Sequence, residues 1–403
     1  MKSKMKFKHL DRQYEEIKDQ IHQAITDVLE SGQYIQGENV KKLEKELADY
    51  TGSKFCITCA NGTDALTLCL LSIGINNQDV VFVPDLTFVA SAEAIVQAGG
   101  IPVFVDVDLE TWTISPEDLK HKIKIINEET DLIPKAVISV DLFGNPADYD
   151  QIRQICKEHN LKLIVDGAQS FGSEYRGEST LKIGDFSTTS FFPAKNLGCY
   201  GDGGAIFTDD PEYANTVRSL CFHGKSLTES GIYERVGMNS RLDEIQAAIL
   251  RVKLKHFEEF EKNQIQKNAE LIRNLIQENS DKAHNNMNLS VQKIQKESNP
   301  VLSQFSILFD SEEQRDWVKK KMEEEGILTQ IYYLFPLRMQ QAYSEYDLNL
   351  LRLKSEQMHR NSRSISNRIL SIPFDAYLSD SEINQIIQVV FQIRLCLSEF
   401  RNQ

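Results

Sequence analysis

A chain of 403 residues, 41% hydrophobic and 26% charged, has the makeup of an ordinary soluble globular protein and is long enough for one large and one smaller domain. Its 45 basic residues against 59 acidic ones give a net charge of −14, and no basic cluster is long enough to form a nucleic-acid surface. No apolar run approaches the ~18 residues that span a bilayer, and the basic opening MKSKMKFKHLDRQ lacks the apolar stretch of a secretory signal, so a cytoplasmic protein with no membrane partner is expected.

Leu10, Tyr14, Ile17, Ile21, Ile25 and Leu29 recur at helical spacing and predict a helix over 9–30, closed by Gly32. The glycine-flanked Ser31–Gly37 stretch reads as a loop able to lie over a site, and a second helix follows at 38–51. Phe55–Thr58 reads as a strand. Ala60-Asn-Gly-Thr-Asp64 then opens an apolar helix at 65–73. Small residues at a strand-to-helix turn leave free N–H groups, which suit a phosphate, although an ordinary Thr/Asp cap reads the same way. There is no Walker lysine and no full GxGxxG.

Strands at 80–83, 101–105, 135–140, 161–165, 186–192 and 204–208 alternate with helices at 88–98, 115–126 and 148–158. This rhythm predicts an α/β fold with a mostly parallel sheet covered on both faces. Phe88 follows a strand and would either stack on a flat cofactor ring or fill the core. Gly237–Glu244 opens a long helix to about 278, with Ser240 and Asp243 spaced like a capping box. The polar stretch 279–300 reads as a boundary. Beyond it, strands at 301–309 and 327–333, a helix at 311–325 and a last helix at 379–400 make a small α+β domain. The expected division is a large domain over 1–260 and a long-helix continuation with the small domain over 261–403. Seven cysteines, Cys56-Ile-Thr-Cys59 among them, read as buried reduced thiols, since no second pair completes a metal set; no metal is expected.

The chemistry concentrates in Asp185–Thr208, where Lys195 stands on a tight loop between an aromatic run and a glycine cluster. A lysine between two buried strands either snorkels to water or is a desolvated amine of lowered pKa, the state that Schiff-base chemistry requires. Asp166 breaks the tie. It ends the short apolar strand Leu161–Asp166, at the edge where open α/β sheets bind ligands. A strand-end acid, the strand-end Ser190 and a loop lysine match the needs of pyridoxal phosphate, whose ring nitrogen takes an acid partner and whose aldehyde takes a lysine.

With Asp166, Gln169, Ser190 and Lys195 in place, the sequence resembles the DegT/StrS-type sugar aminotransferases, pyridoxal-phosphate enzymes of the aspartate-aminotransferase fold (fold type I). The likeness runs through His9–Tyr14, Tyr34–Gly37, Ala60–Ala65, Val165–Ser170, the lysine loop, Gly237–Asp243 and Leu370–Pro373. It implies a large domain with a seven-stranded type of sheet between helices and a small α+β C-terminal domain. It further implies that Lys195 holds the cofactor and moves the proton, that Asp166 pairs with the ring nitrogen, and that Gln169 lies near the ring oxygen. Gly62, Thr63 and Ser190 would bind the phosphate and Phe88 would stack on the ring. Asn239 would come from the other subunit of a homodimer with shared active sites.

The implied reaction takes an amino group from L-glutamate, released as 2-oxoglutarate, to a nucleotide-linked keto-sugar. The form of Gly198–Ala205 resembles enzymes acting on UDP-2-acetamido-3-keto-hexuronates, which serve surface-polysaccharide (lipopolysaccharide O-antigen) synthesis. The alternatives are a 4-aminotransferase for NDP-4-keto-6-deoxy sugars and, from another class, a non-catalytic regulatory protein with the same fold. Three positions depart from the family pattern, which has histidine where Asp141, Arg338 and Asp375 stand; all three bear on the sugar pocket. Arg338, Arg241 and His223 are the candidate cations for a sugar carboxylate or diphosphate, or else surface ion pairs.

Overall fold

The computed structural model describes residues 4–281, 289–346 and 360–400. Helix α1 (Leu10–Ser31) buries Gln13, Ile17, Ile21 and Val28. Leu10 and Leu29 stay exposed, so the buried stripe is rotated from the one the spacing suggests: it follows the residues that meet Ile249 of α8 (Glu244–His256). Helix α2 (Glu38–Thr51) starts against α8 as well. The carboxylate of Glu244 accepts the N–H groups of Asn39 and Val40 at 2.9 Å each, a long-range cap for the first turn of α2. Gly37 permits this contact, because a Cβ there would lie 2.7 Å from the Glu244 carboxyl carbon. The Ser31–Gly37 loop accordingly docks on the start of α8, with Tyr34 and Ile35 exposed.

The central sheet is built from β1 (Phe55–Cys59), β2 (Asp79–Pro84), β3 (Ile101–Val105), β4 (Ile133–Val140), β5 (Lys162–Asp166), β8 (Phe186–Ser190) and β9 (Gly204–Thr208). Its spatial order is β1-β9-β8-β5-β4-β2-β3, and only β9 runs against its neighbours. The mostly parallel sheet expected from the alternating pattern, with the seven strands that the resemblance implies, is therefore present. Successive strand residues divide between two cores. Val81, Val83 and Ile164 pack with α3 (Gly62–Ser72), α4 (Ala90–Gln97) and α7 (Pro211–Leu220), whereas Val80, Phe82 and Val165 pack with α5 (Pro116–Glu129) and α6 (Tyr149–Glu158). Each fully buried Val or Phe of this kind contributes about 2 kcal/mol.

Four neighbouring parallel strands run into aspartates on this scaffold. Asp85, Asp106 and Asp141 directly follow β2, β3 and β4, and Asp166 closes β5. All four therefore reach the carboxyl edge of the sheet.

After α8, a π-helical turn at Phe257–Glu261 leads into α9 (Lys262–Asp281), so the division expected at 260/261 falls inside one continuous helical run. Of the expected boundary stretch 279–300, residues 282–288 lie outside the described residues. The long helix begins at Glu244 rather than near 240. Ser240 does not cap it; its hydroxyl accepts the N–H of Ala60 at 3.1 Å instead, and Asp243 makes no side-chain cap. A small antiparallel sheet joins β10 (Ser290–Val291), β12 (Phe305–Leu308) and β13 (Ile369–Ile372), flanked by α10 (Glu312–Glu324), α11 (Arg360–Arg368) and α12 (Asp380–Phe400). A third sheet unites the hairpin β6 (Glu174–Tyr175) and β7 (Glu178–Ser179) with β11 (Ser298–Asn299).

Two expected strands differ. The one at 301–309 shortens to Phe305–Leu308, because side chains tie down Val301: its N–H goes to Ser173 Oγ at 2.8 Å and its carbonyl to Asn196 Nδ2 at 3.0 Å. The one at 327–333 makes only isolated bridges at Ile327 and Gln330 before turning along the site. Arg338 sits within the short 3₁₀ turn Leu337–Met339, and a second such turn, Gln341–Tyr343, follows.

Candidate active site

The lysine loop is held from several sides. Lys195 N–H closes a turn on the Phe192 carbonyl at 2.9 Å, and the Asn196 amide donates to the carbonyls of Phe171 and Val301 at 3.3 and 3.0 Å. Cys199 N–H donates to the Phe191 carbonyl at 2.8 Å. This framework sets the Lys195 amine deep beneath a residue that is only partly covered overall. Burial pulls its pKa below the ordinary lysine value, opposed by the charge of Asp166. A desolvated amine is the state that nucleophilic lysines require.

Asp166, 6% exposed, faces the same space. Burial pushes its carboxyl up, while the Ser91 hydroxyl at 2.7 Å, the Ala168 N–H at 3.2 Å and the charge of Lys195 pull it back. Ser91 is held in turn by Thr87, with 3.1 Å between hydroxyls. Gln169 is buried and oriented: its Oε1 accepts the Phe143 N–H at 2.8 Å, and its Nε2 donates to the Tyr333 hydroxyl at 3.4 Å. Phe88 is 53% exposed, which removes the core reading, and its ring centre lies 6.3 Å from that of Tyr333.

Ser190 meets Gly62 at the start of α3. A Cβ on Gly62 would lie 2.8 Å from Ser190 Cβ, and one on Gly204 would lie 2.5 Å from the Asn61 carbonyl oxygen. Both glycines are therefore required by close approach. Asn61 caps the helix by accepting the Asp64 N–H at 2.8 Å, leaving the N–H groups of Gly62 and Thr63 at the helix end. The cap is thus Asn61 rather than the Thr or Asp considered from sequence, and the remaining N–H groups are of the kind that suits a phosphate.

His223, Asn239 and Arg241 form a separate group on two crossing loop segments. Asn239 bridges Phe222, and His223, at φ 60°, donates its N–H to the Met238 carbonyl at 3.0 Å. The Arg241 guanidinium lies 5.2 Å from the centre of the Phe222 ring. His223 and Asn239 are exposed.

The three departures from the family pattern each have an internal partner. Asp141 is fully buried and accepts the Tyr149 hydroxyl, the Ser170 hydroxyl at 2.7 Å and the Ala147 N–H at 3.2 Å. Burial raises its carboxyl to about 6 against those bonds. Asp375 takes both the main-chain N–H and the ring Nδ1 of His9 on one oxygen, at 2.8 and 2.9 Å. Burial alone would push the Asp375 carboxyl up, but His9 and the charge of Lys8 outweigh it and hold it low. Arg338 donates from Nε to Asp85 Oδ2 at 3.1 Å and from its main chain to Oδ1 at 2.9 Å. The pairing is an internal one, since Asp85 is fully buried, and not the surface ion pair considered from sequence.

Sequence reasoning missed Ser91, Tyr333 and Lys8. Lys8 lines a small cavity with Lys195, Glu261 and Asp375, its amine on the Ser303 carbonyl at 2.6 Å and its pKa lowered by burial to about 8. Ser91 lay one helical turn past Phe88 and was legible in principle; Lys8 gave no local signal. Cys56 and Cys59 are buried, and burial drives their thiols well up, as structural cysteines require.

Residues 15–391 match the DegT/DnrJ/EryC1/StrS aminotransferase family. The chain belongs to it. Over 382 residues it is 36% identical to the UDP-2-acetamido-2-deoxy-3-oxo-D-glucuronate aminotransferase of Pseudomonas aeruginosa, covering 95% of this chain and 98% of that one. It is 35% identical to a pleiotropic regulatory protein of Geobacillus stearothermophilus, over 94% of this chain and 96% of the relative. Among solved structures, a DegT/DnrJ/EryC1/StrS aminotransferase from Brucella abortus superposes with a TM-score of 0.89 at 38% identity, covering 96% and 99% of the two chains. A Bacillus subtilis relative with bound cofactor PMP superposes at 0.85 with 26% identity, covering 98% and 86%.

This family member is an aminotransferase dependent on pyridoxal phosphate. Its residues fit that group: a helix end with space that a Cβ at Gly62 would close, a buried strand-end acid, and a desolvated lysine in electrostatic reach of it.

Proposed function

We propose that this aminotransferase works in the cytoplasm as a homodimer, moving an amino group from L-glutamate to the C3 keto group of UDP-2-acetamido-2-deoxy-3-keto-hexuronate for surface-polysaccharide synthesis. The observation that carries the proposal is the end-to-end 36% identity to a relative named for that 3-oxo sugar. Bound pyridoxal phosphate supplies an aldehyde to carry the amine and a ring that takes up electrons from the breaking C–H bond. Lys195 Nζ would hold the cofactor and carry the proton taken from the donor carbon to the cofactor carbon that bears the transferred nitrogen, a task that its lowered pKa suits. Asp166 keeps a negative charge against the ring nitrogen, with Ser91 fixing its second oxygen. Gly62, Thr63 and Ser190 hold the phosphate, Gln169 lies near the ring oxygen, and Phe88 covers the ring face.

Asn239 serves the active site of the second subunit. Its loop supports this assignment by exposing Leu227, Ile232, Tyr233 and Val236, the last at 92%, an apolar surface suited to burial against another copy. The regulatory name of one relative favours a second, non-catalytic reading, but retention of Lys195, Asp166 and the helix-end glycine supports the enzyme.

The test is a panel of UDP-, dTDP- and GDP-keto-sugars with L-glutamate, read by mass spectrometry and product NMR. The expected outcome is a UDP-linked 3-amino-hexuronate together with 2-oxoglutarate. An amine at C4 of a 6-deoxy sugar would replace this reading with the 4-aminotransferase, and protein that stays colourless after cofactor addition would favour the regulatory one.

A further inference from the structure

The segment after β12 and α10 runs along the site. Tyr333 touches both Gln169 and Phe88, and five residues on Arg338 reaches Asp85 at the end of β2. Asp85 is fully buried and grips Arg338 twice, through Nε at 3.1 Å and through the main-chain N–H at 2.9 Å. Its main-chain carbonyl also accepts the Leu337 N–H at 2.8 Å. The guanidinium is thus fixed along one edge. Its two terminal nitrogens have no hydrogen-bond partner among the described residues, and the side chain keeps 13% of its surface open. A guanidinium held by Nε presents a second, parallel pair of donors, the geometry that grips a planar carboxylate with two bonds.

We propose that Arg338 is a specificity-determining residue that grips a carboxylate carried by a reactant. The two sources of that chemistry are the acid group of the keto-hexuronate and the carboxylates of the amino donor. Both rest on the function proposed above, the sugar source on its keto-hexuronate and the donor source on its amino-acid donor. The buried Asp85 prevents the arginine from swinging to solvent, so the grip is prepared before the reactant arrives. A lysine at this position would keep a charge for Asp85 but lose the fork. The histidine that the family pattern places here would lose most of its reach.

The test compares wild type, Arg338→Gln and Arg338→Lys holoenzyme on three probes. These are UDP-2-acetamido-3-keto-hexuronate, the same nucleotide sugar with a hydroxymethyl group at C6, and L-glutamate alone, whose half-reaction is followed by bleaching of the cofactor's visible absorbance. If the sugar acid is the ligand, Arg338→Gln lowers kcat/KM for the acid by about 100-fold, leaves the hydroxymethyl sugar and the glutamate half-reaction unchanged, and Arg338→Lys loses about 10-fold. If the donor is the ligand, the glutamate half-reaction falls by a similar factor and the choice between the two sugars stays the same. Equal loss on both sugars, pointing to the diphosphate they share, overturns the proposal, as does no loss on any probe. Should wild type accept neither sugar, the proposed function fails, while the glutamate arm still decides the role of Arg338. Thermal melting of each variant controls for the loss of the guanidinium beside Asp85, which keeps the Ser362 hydroxyl at 2.9 Å, and the lysine variant keeps a cation there.

Discussion

The cofactor floor and the outer wall of this site are built by different means. The floor, with Gly62, Asp166, Gln169, Ser190 and Lys195, comes from turns at the ends of adjacent strands, and each residue is recognisable from the short segment that carries it, with bonds such as Ser91 to Asp166 and Asn196 to Val301 steadying it from farther off. The wall, with His9, Asp85, Arg338 and Asp375, comes from pairs more than two hundred residues apart in the chain. Short segments carry their chemistry in the order of their letters, whereas long-range pairs become visible only when both partners are in view. A family difference read at one position of the wall is therefore half of a pair.

Four substitutions would break or sharpen this contrast, beginning with the strongest. Lys195→Ala should reduce amine transfer by about 10⁴-fold or more while the phosphate contacts still retain the cofactor; single-turnover transfer and the absorbance that survives gel filtration measure the two separately. Unchanged transfer would mean that another amine does the work. On the wall, His9→Ala should cost about 2 kcal/mol of unfolding free energy, because it takes the ring partner from the buried Asp375 carboxylate and leaves it the main-chain N–H groups of residues 9 and 377. Exchanging the partners (His9→Asp with Asp375→His) should recover much of that loss in denaturant melts, and a loss equal to the sum of the single changes would deny that they form one unit.

Gly62→Ala presses a Cβ against Ser190 and should weaken cofactor binding about 10-fold by fluorescence titration, an overpacking cost of about 1–3 kcal/mol. The smallest effect is expected at Asp141, and it depends on pH. Burial raises its folded pKa from 3.8 to about 6, so the native state binds the extra proton and its contribution to stability falls as pH rises across that window. Asp141→Asn removes this slope. The variant should gain on wild type between about pH 4 and pH 6 in urea melts, and parallel curves would show that the carboxyl titrates normally.

The sheet was legible because buried apolar runs alternating with helices leave few topologies, and the lysine loop was legible because Lys195 and Asp166 have no bland joint explanation. The strand expected at 327–333 failed for a physical reason: Tyr332 and Tyr333 turn toward Phe7 and Phe88 instead of continuing a ladder. The capping box at Ser240 failed because that hydroxyl serves Ala60, far away in sequence. Asp141 and Asp375, read as changes to the sugar pocket, prove to hold Tyr149, Ser170 and His9. Except for Tyr149, eight residues from Asp141, these partners lie far from their mates along the chain, where single-residue spacing carries no trace of them.

The row of aspartates closing β2 to β5 constrains how such a chain can change. Side chains on a strand alternate between faces, so inserting one residue inside β5 would swing Asp166 to the opposite side of the sheet and bring a valine into its place, and deleting one would bring a glycine. The same slip in β2 would release Arg338 from Asp85. Length changes in this protein are therefore confined to the connections between strands, and the strands themselves can vary only by substitution.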